Sequence, residues 1–277
     1  MMGACVTPVQ HVQANGITQA VALAGNGPPL VLIHGLGWDH SLWTREMAAY
    51  ADRYTVVAPD LRGHGQTDKP DQPYSIRQYA ADIAALLDAV GIKRAAVLGF
   101  SLGGAILMQL AADRPDLVGA AIFACCGAGS TSEGEAGTEA MLNRAEGLGA
   151  LAFAQEQADA VWSPTWAAAN PERVAQFISW RAGMDQAALG RAFRSGYGTD
   201  HWGLLPTIAV SSLVLAAEED SFCDVPTLQK IAATLPNATF ALIPRSGHQI
   251  SIEQPQQFDA ALLPFLDRAW PAARGGA

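Results

Sequence analysis

Hydrophobic positions along the chain follow two repeating patterns. Short continuous apolar runs predict buried strands at residues 30–33, 55–58, 95–98, 119–124, 212–216 and 239–243. Most of these runs are separated by segments with apolar residues at helical spacing, at 76–90, 105–112, 228–235 and 258–266. Strands and helices in alternation predict an α/β fold with a mostly parallel, doubly wound sheet that is covered on both faces.

Two segments depart from this alternation. Residues 6–24 alternate weakly between apolar and polar around Asn15-Gly16, a dipeptide suited to a tight hairpin turn, which predicts an antiparallel edge. Residues 128–206 contain no convincing strand and carry four tryptophans in helix-like stretches. We interpret this second segment as a helical lid inserted after the sixth strand, with the core formed by residues 1–127 and 207–277.

Composition limits the possible functions. The 277 residues are 50% apolar, and at this length folding buries roughly 75% of the surface of the unfolded chain. The formal charge of −9 disfavours nucleic-acid and membrane-surface binding, so the expected partner is a small-molecule substrate, with the protein a monomer or homodimer. The chain has no run of 18 apolar residues and no signal-peptide pattern near its start, and we expect a cytoplasmic location.

The four cysteines are Cys5, Cys125, Cys126 and Cys223. Their spacing matches no CxxC or Cys/His ligand pattern, which favours reduced, structural thiols. We therefore expect neither a metal nor a cofactor.

The strongest local motif is Gly99-Phe100-Ser101-Leu102-Gly103-Gly104, which connects a predicted strand to a predicted helix. This is G-x-S-x-G in the structural context that the motif requires. A serine in so sharp a turn needs neighbours without side chains, because a Cβ at Gly99 or Gly103 would collide with the turn. The adjacent helix N-terminus favours developing negative charge, so Ser101 is the candidate nucleophile.

A serine hydroxyl needs a base to become nucleophilic at neutral pH. Among the six histidines, His248 follows a predicted strand and would share the carboxyl edge of the sheet with Ser101. His34 also follows a strand, but His34-Gly35-Leu36-Gly37 is better interpreted as a loop whose backbone donates hydrogen bonds. His64 is interpreted as structural. The histidines without such a placement are His11, His40 and His201.

The base in turn needs an orienting carboxylate. The strand at 212–216 leads into Glu218-Glu219-Asp220, and Asp224 follows. Asp220 is the favoured acid, while Glu219 and Asp224 remain possible. Three loops at the carboxyl edge would then each contribute one member of the triad, which is where open parallel sheets bind their ligands.

Acyl transfer also requires donors for the oxygen that becomes negative. The candidates are the backbone N–H groups of Leu36 and Leu102. Aromatic residues of the insertion are expected to form mostly its own core, with one or two reaching substrate. The substrate-binding candidates are Trp38, Trp162 and Trp180, with Phe153, Phe177, Phe193 and Tyr197 as further walls. The insertion holds five arginines against nine acidic residues, so an anionic substrate would need one arginine turned inward.

Together these segments resemble the alpha/beta-hydrolase fold superfamily across nearly the whole chain. The residues that carry the resemblance are His34-Gly35, Asp60-Leu61-Arg62-Gly63-His64-Gly65-Gln66-Thr67, the Ser101 motif, Asp220 and Gly247-His248. Within the superfamily, the spacing and residues 148–206 are most similar to beta-ketoadipate enol-lactonases and related esterases. The glycine common three residues before the family's acid is replaced by Ala217.

We therefore expect a cofactor-free serine hydrolase that cleaves a small, fairly apolar ester or lactone. Ser101 would attack, His248 would transfer the proton and Asp220 would orient the imidazole. The alternatives are hydrolysis of a carbon–carbon bond beside a ketone with the same triad, perhydrolase or haloperoxidase-like side activity, and a non-catalytic receptor on this fold. Haloalkane dehalogenase and epoxide hydrolase activities are disfavoured because those relatives carry a carboxylate at the position of Ser101.

Overall fold

The computed structural model describes residues 8–272, so the prediction for Cys5 lies outside the described part. Its centre is one eight-stranded sheet. The strands are β1 (Val9–Ala14), β2 (Ile17–Ala24), β3 (Pro29–Ile33), β4 (Thr55–Pro59), β5 (Ala95–Phe100), β6 (Val118–Ala124), β7 (Ser212–Ala217) and β8 (Ala238–Ile243).

The sheet is mostly parallel, in the order β1-β2-β4-β3-β5-β6-β7-β8. Strands β1 and β2 form the predicted antiparallel hairpin, and β2 pairs antiparallel with β4. The hairpin turn is made by Asn15 and Gly16, both at positive φ (51° and 76°), the conformation that an Asn-Gly turn favours. All other neighbouring strands are parallel. The predicted fold class is confirmed.

Helices cover both faces of the sheet. They are α1 (Thr44–Tyr50), α2 (Ile76–Ala89), α3 (Leu102–Asp113), α4 (Ser132–Leu148), α5 (Ala150–Val161), α6 (Pro164–Ala169), α7 (Pro171–Ala182), α8 (Gln186–Arg194), α9 (Val225–Thr234), α10 (Ile250–Glu253) and α11 (Pro255–Ala269). No helix within residues 8–272 is long and apolar enough to cross a lipid bilayer.

Two hydrophobic cores lie on opposite faces of the sheet. Alternate residues of β3 contribute to each: Val31 packs with α2, α3 and α9, whereas Leu30 and Leu32 pack with α1 and α11. This division follows from the strand period of two, which sends successive side chains to opposite faces. Because both faces are covered, the strands are continuous apolar runs, and the runs predicted six strands to within two residues.

Helices α4 to α8 all lie between β6 and β7, within the segment 128–206 that the sequence marked as an insertion. They share a small hydrophobic cluster of their own, centred on Trp162 and Phe177. At its base, Gly129 pairs with Asp200 in an isolated antiparallel bridge. The two ends of the five-helix segment therefore lie next to each other.

Candidate active site

Ser101 occupies the sharp turn between β5 and α3. Its backbone has φ +54° and ψ −116°, a strained conformation that costs about 1 to 3 kcal/mol. A Cβ on Gly99 would lie 2.2 Å from the carbonyl oxygen of Gly103. A Cβ on Gly103 would lie 2.4 Å from the carbonyl oxygen of Ile33. Both glycines are sterically required, and the turn is anchored by a 2.9 Å hydrogen bond from Ser101 N–H to Ala124 O.

His248 lies on the loop that follows β8, at the same edge of the sheet. Its Nδ1 is 2.8 Å from Oδ2 of Asp220. A carboxylate only accepts hydrogen bonds, so Nδ1 carries the proton and Nε2 is the basic nitrogen. The backbone N–H of His248 donates to Val161 O at 3.0 Å, and its ring packs 4.9 Å from that of Phe100. The imidazole is thus held from both the sheet and α5.

The Asp220 side chain follows β7 and has no exposed surface. Its Oδ1 accepts hydrogen bonds from Phe222 N–H at 2.8 Å and Cys223 N–H at 3.1 Å, while Oδ2 is bound by His248. Both oxygens are therefore oriented, one by the backbone and one by the imidazole. Ala217, which stands in place of the family's glycine, is the last residue of β7 and is compatible with this arrangement.

The two alternative acids lie elsewhere. Asp224 accepts a 3.0 Å hydrogen bond from Thr227 N–H and so serves as the N-cap of α9. The side chain of Glu219 is exposed. Of the three acids considered from the sequence, Asp220 alone is hydrogen-bonded to His248 in the described residues.

Ser101 and His248 line the same cavity, which has a volume of about 420 Å³. Within residues 8–272, no direct hydrogen bond joins the Ser101 hydroxyl to the imidazole. Catalytic hydrogen bonds are often long in ligand-free enzymes and tighten when substrate binds. The cavity therefore brings the candidate nucleophile and base to one ligand-sized space.

The candidate oxyanion donors line this cavity as well. Within the described chain, the N–H groups of Leu36 and Leu102 donate to no other residue. The loop that carries Leu36 is ordered by His34, whose Nδ1 donates to Gly35 O at 2.7 Å and whose Nε2 accepts from Leu61 N–H at 3.0 Å. Burial lowers the pKa of His34, so its imidazole stays neutral and keeps this tautomer.

The cavity walls are largely apolar and include six aromatic side chains: Trp38, Phe100, Phe153, Phe177, Phe193 and Phe222. Trp162 and Trp180, expected from the sequence to touch substrate, do not line it. Trp162 stacks on Trp166 with ring centroids 4.5 Å apart, and Trp180 packs 4.8 Å from Trp38. Both instead line a second cavity, which shares Trp38 and Phe177 with the first. Tyr197 lines a smaller adjacent cavity that also reaches Ser101.

The model of the alpha/beta hydrolase fold family matches residues 28–255 of the chain. That range is most of the sequence and includes Ser101, Asp220 and His248. The chain belongs to the alpha/beta hydrolase fold family.

Some relatives of this alpha/beta hydrolase match it over the full length, and others match only part of it. The 3-oxoadipate enol-lactonase 2 of Acinetobacter baylyi is 29% identical and aligns with 94% of this chain and 99% of its own length. An uncharacterised protein of Mycobacterium tuberculosis is 42% identical over 119 residues, but the match spans only 43% of this chain and 35% of that protein. The crystal structure of the enol-lactonase from Burkholderia xenovorans LB400 has a TM-score of 0.87 and 24% identity, covering 94% of this chain and all of the other; this likeness shows a shared fold.

Two clusters in the described part of this alpha/beta hydrolase bring together groups that could ligate a metal. One is Cys125 with Asp220 and His248. Burial raises the pKa of Cys125 well above its ordinary value, so its sulfur is a thiol in the ligand-free protein. The other joins Asp39, His40 and Asp60, where His40 Nδ1 is already 2.7 Å from Asp60 Oδ1. In each cluster the imidazole and one carboxylate are already hydrogen-bonded to each other, His248 to Asp220 and His40 to Asp60.

Proposed function

We propose that the protein is a serine hydrolase that cleaves a small carboxylic ester or lactone through an acyl-enzyme intermediate. The observation that carries this proposal is the 2.8 Å pairing of His248 Nδ1 with Asp220 at the cavity that holds Ser101 in its strained turn. The full-length similarity to a protein named 3-oxoadipate enol-lactonase 2 supports the choice of lactone or ester as substrate.

The first half-reaction forms the acyl-enzyme. His248 Nε2 takes the proton of Ser101 as Oγ attacks the substrate carbonyl, and Asp220 stabilises the imidazolium that results. The N–H groups of Leu36 and Leu102 bind the oxygen that becomes negative. Collapse of the tetrahedral intermediate breaks the bond to the leaving oxygen, which receives the proton from His248.

The second half-reaction releases the acid. Water enters, and His248 Nε2 removes its proton as the water oxygen attacks the acyl carbonyl. Collapse of this second tetrahedral intermediate breaks the bond to Ser101 Oγ, which takes the proton back from His248 as the acid leaves. Helices α4 to α8 act as the lid: Phe153, Phe177 and Phe193 close the cavity from their side. A largely apolar enclosure excludes bulk water and strengthens the electrostatic interactions that stabilise the transition state.

The test combines active-site labelling with a substrate panel. A fluorophosphonate probe followed by peptide mass spectrometry should modify Ser101 in the wild-type protein. The Ser101→Ala variant should keep its circular dichroism spectrum and lose both labelling and turnover. Ser130→Ala is the matched control, since Ser130 lines the adjacent cavity and its hydroxyl donates to Glu135 at 2.6 Å. Wild-type turnover by Ser101→Ala would refute the mechanism.

The same panel decides between the reaction classes left open by the sequence. Esters and lactones should be hydrolysed, whereas a vinylogous diketone should remain intact. Preferential cleavage of the diketone would instead assign the triad to carbon–carbon bond hydrolysis. Tight binding of panel compounds without labelling or turnover would identify a receptor.

A further inference from the structure

One charged side chain in the cavity wall has no charged partner. Arg181, in the last turn of α7, is only 5% exposed and lines the cavity together with Ser101 and His248. Its Nε donates to Gln157 Oε1 at 2.6 Å, and its Nη1 donates to the carbonyl oxygen of Leu36 at 3.3 Å. Both acceptors are neutral, so neither compensates the positive charge.

The contrast with Arg62, another buried arginine, is direct. Arg62 is 3% exposed and forms two hydrogen bonds with the carboxylate of Asp82, at 2.7 and 2.8 Å. Arg181 forms no ion pair with any residue of the described chain, and burial lowers the pKa of its guanidinium to about 9. An uncompensated buried charge costs several kcal/mol, which a bound anion would offset.

Contacts with the loop after β3 and with α5 hold the Arg181 guanidinium at the cavity. Gly37 follows Leu36 in the loop after β3, and a Cβ at Gly37 would lie 0.9 Å from Arg181 Nη1. Only a glycine at this position leaves the space that the guanidinium fills. Gln157 on α5 fixes the opposite side of the same group. Two elements therefore orient Arg181, while its Nη2 donates to no residue among 8–272.

The other charged groups of the cavity wall do not supply the missing anion. Glu156 is paired with Arg144 at 3.1 Å, and both side chains are partly exposed. Asp220 does not line the cavity and is hydrogen-bonded to His248. The guanidinium thus presents free N–H donors to a cavity whose remaining walls are mostly apolar.

We propose that Arg181 binds a carboxylate of the substrate, so that the preferred substrate is an anionic ester or lactone. The inference rests on the proposed function, since the scissile carbonyl is taken to lie at Ser101. It replaces the fairly apolar substrate expected from the sequence. The guanidinium presents parallel N–H donors to a carboxylate, and a charge-assisted hydrogen bond of this kind is stronger than a neutral one.

The test compares esters that differ only in charge. Monoethyl succinate, glutarate and adipate are each paired with the neutral ethyl ester in which a methyl group replaces the carboxylate, and hydrolysis is followed by pH-stat titration. For at least one pair, wild-type kcat/KM should be about 10- to 100-fold higher for the anion, the range expected for hydrogen bonds to a charged group. In Arg181→Met the ratio of the two kcat/KM values should fall by a similar factor.

Two further variants separate recognition from folding. Arg181→Lys retains a positive charge and should recover part of the selectivity that Arg181→Met loses. Arg173→Met is the matched control, because Arg173 lies on the same helix, is exposed and does not line the cavity. It should keep the wild-type ratio. If Arg181→Met lowers kcat/KM equally for charged and neutral esters, the arginine orders the loop and the inference is overturned.

A binding measurement keeps this inference distinct from the proposed function. Calorimetric titration of Ser101→Ala with the preferred monoester should show binding that the Ser101→Ala/Arg181→Met variant loses. Arg181-dependent binding without turnover by the wild type would reject the hydrolase mechanism and retain the anion site. Ester hydrolysis that is indifferent to charge in every pair would retain the mechanism and reject the anion site.

Discussion

Replacing Arg62 with methionine should destabilise the fold. Arg62 lies in the segment 60–67 that contributed to the family resemblance, and its guanidinium joins the loop after β4 to α2 through Asp82. The two side chains are 3% and 2% exposed. Asn15 Nδ2 also donates to Asp82 Oδ1 at 2.6 Å, so one carboxylate connects three parts of the chain. In Arg62→Met the Asp82 charge stays buried without its cation.

The expected loss follows from this burial. Removing one partner of a buried ion pair typically costs about 3 to 5 kcal/mol, because the remaining charge is left uncompensated. With a urea dependence of about 3 kcal/mol per molar, the upper value for small proteins, the unfolding midpoint should fall by about 1 to 2 M. Tryptophan fluorescence at pH 7 measures the midpoint.

Two comparisons test the reasoning. The double variant Arg62→Met/Asp82→Leu removes the orphaned charge and should recover much of the lost stability. Arg114→Met removes an exposed pair with Asp116 and should leave the midpoint nearly unchanged. If Arg62→Met unfolds at the wild-type urea concentration, the buried pair does not stabilise the fold as argued.

Three further outcomes are expected. Burial raises the pKa of Glu46 to about 7, so the folded state binds the carboxyl proton more tightly than the unfolded state does. The stability that comes from this protonation is fully present below about pH 4.5 and is lost as the pH rises through 7. Between pH 5 and pH 8, the urea midpoint of Glu46→Gln should therefore fall less than that of the wild type. Gly103→Ala should yield little folded protein in expression trials, because its Cβ would meet the Ile33 carbonyl at 2.4 Å. Asp220→Asn should lower kcat by about 10⁴ through the wrong imidazole tautomer, whereas Asp224→Asn, which keeps a capping side chain, should stay within a few-fold in the same ester assay.

Much of the fold was predictable because its signals are local. Buried parallel strands are continuous apolar runs, and these predicted β3 to β8. The sheet order was not encoded locally, because β3 lies between β4 and β5 through contacts distant in sequence. Helix α3 begins at Leu102, three residues before the predicted start. The prediction missed its first turn because glycine, here Gly103 and Gly104, is unfavourable in helices. Their small size serves close packing: a Cβ at Gly104 would lie 2.4 Å from Cys126 Cβ.

The candidate site was also predictable only in part. Ser101, Asp220 and His248 each follow a strand, so the rule that parallel strands share a carboxyl edge was enough to group them. The inward arginine was not identified, because the five arginines of residues 128–206 look alike in composition. A signal was present: Arg181 is four residues after Phe177 and shares its helix face. The roles of Trp162 and Trp180 depend on how the insertion packs, which local patterns do not encode.

The strained backbone conformation of Ser101 implies that the geometry proposed to serve catalysis also lowers the stability of the fold. A glycine there would adopt φ +54° without the steric cost that a side chain incurs, so Ser101→Gly should unfold at a higher temperature than the wild type while lacking the proposed nucleophile. Such a variant would be a robust, inert form of the protein in which intact substrates could be captured and identified.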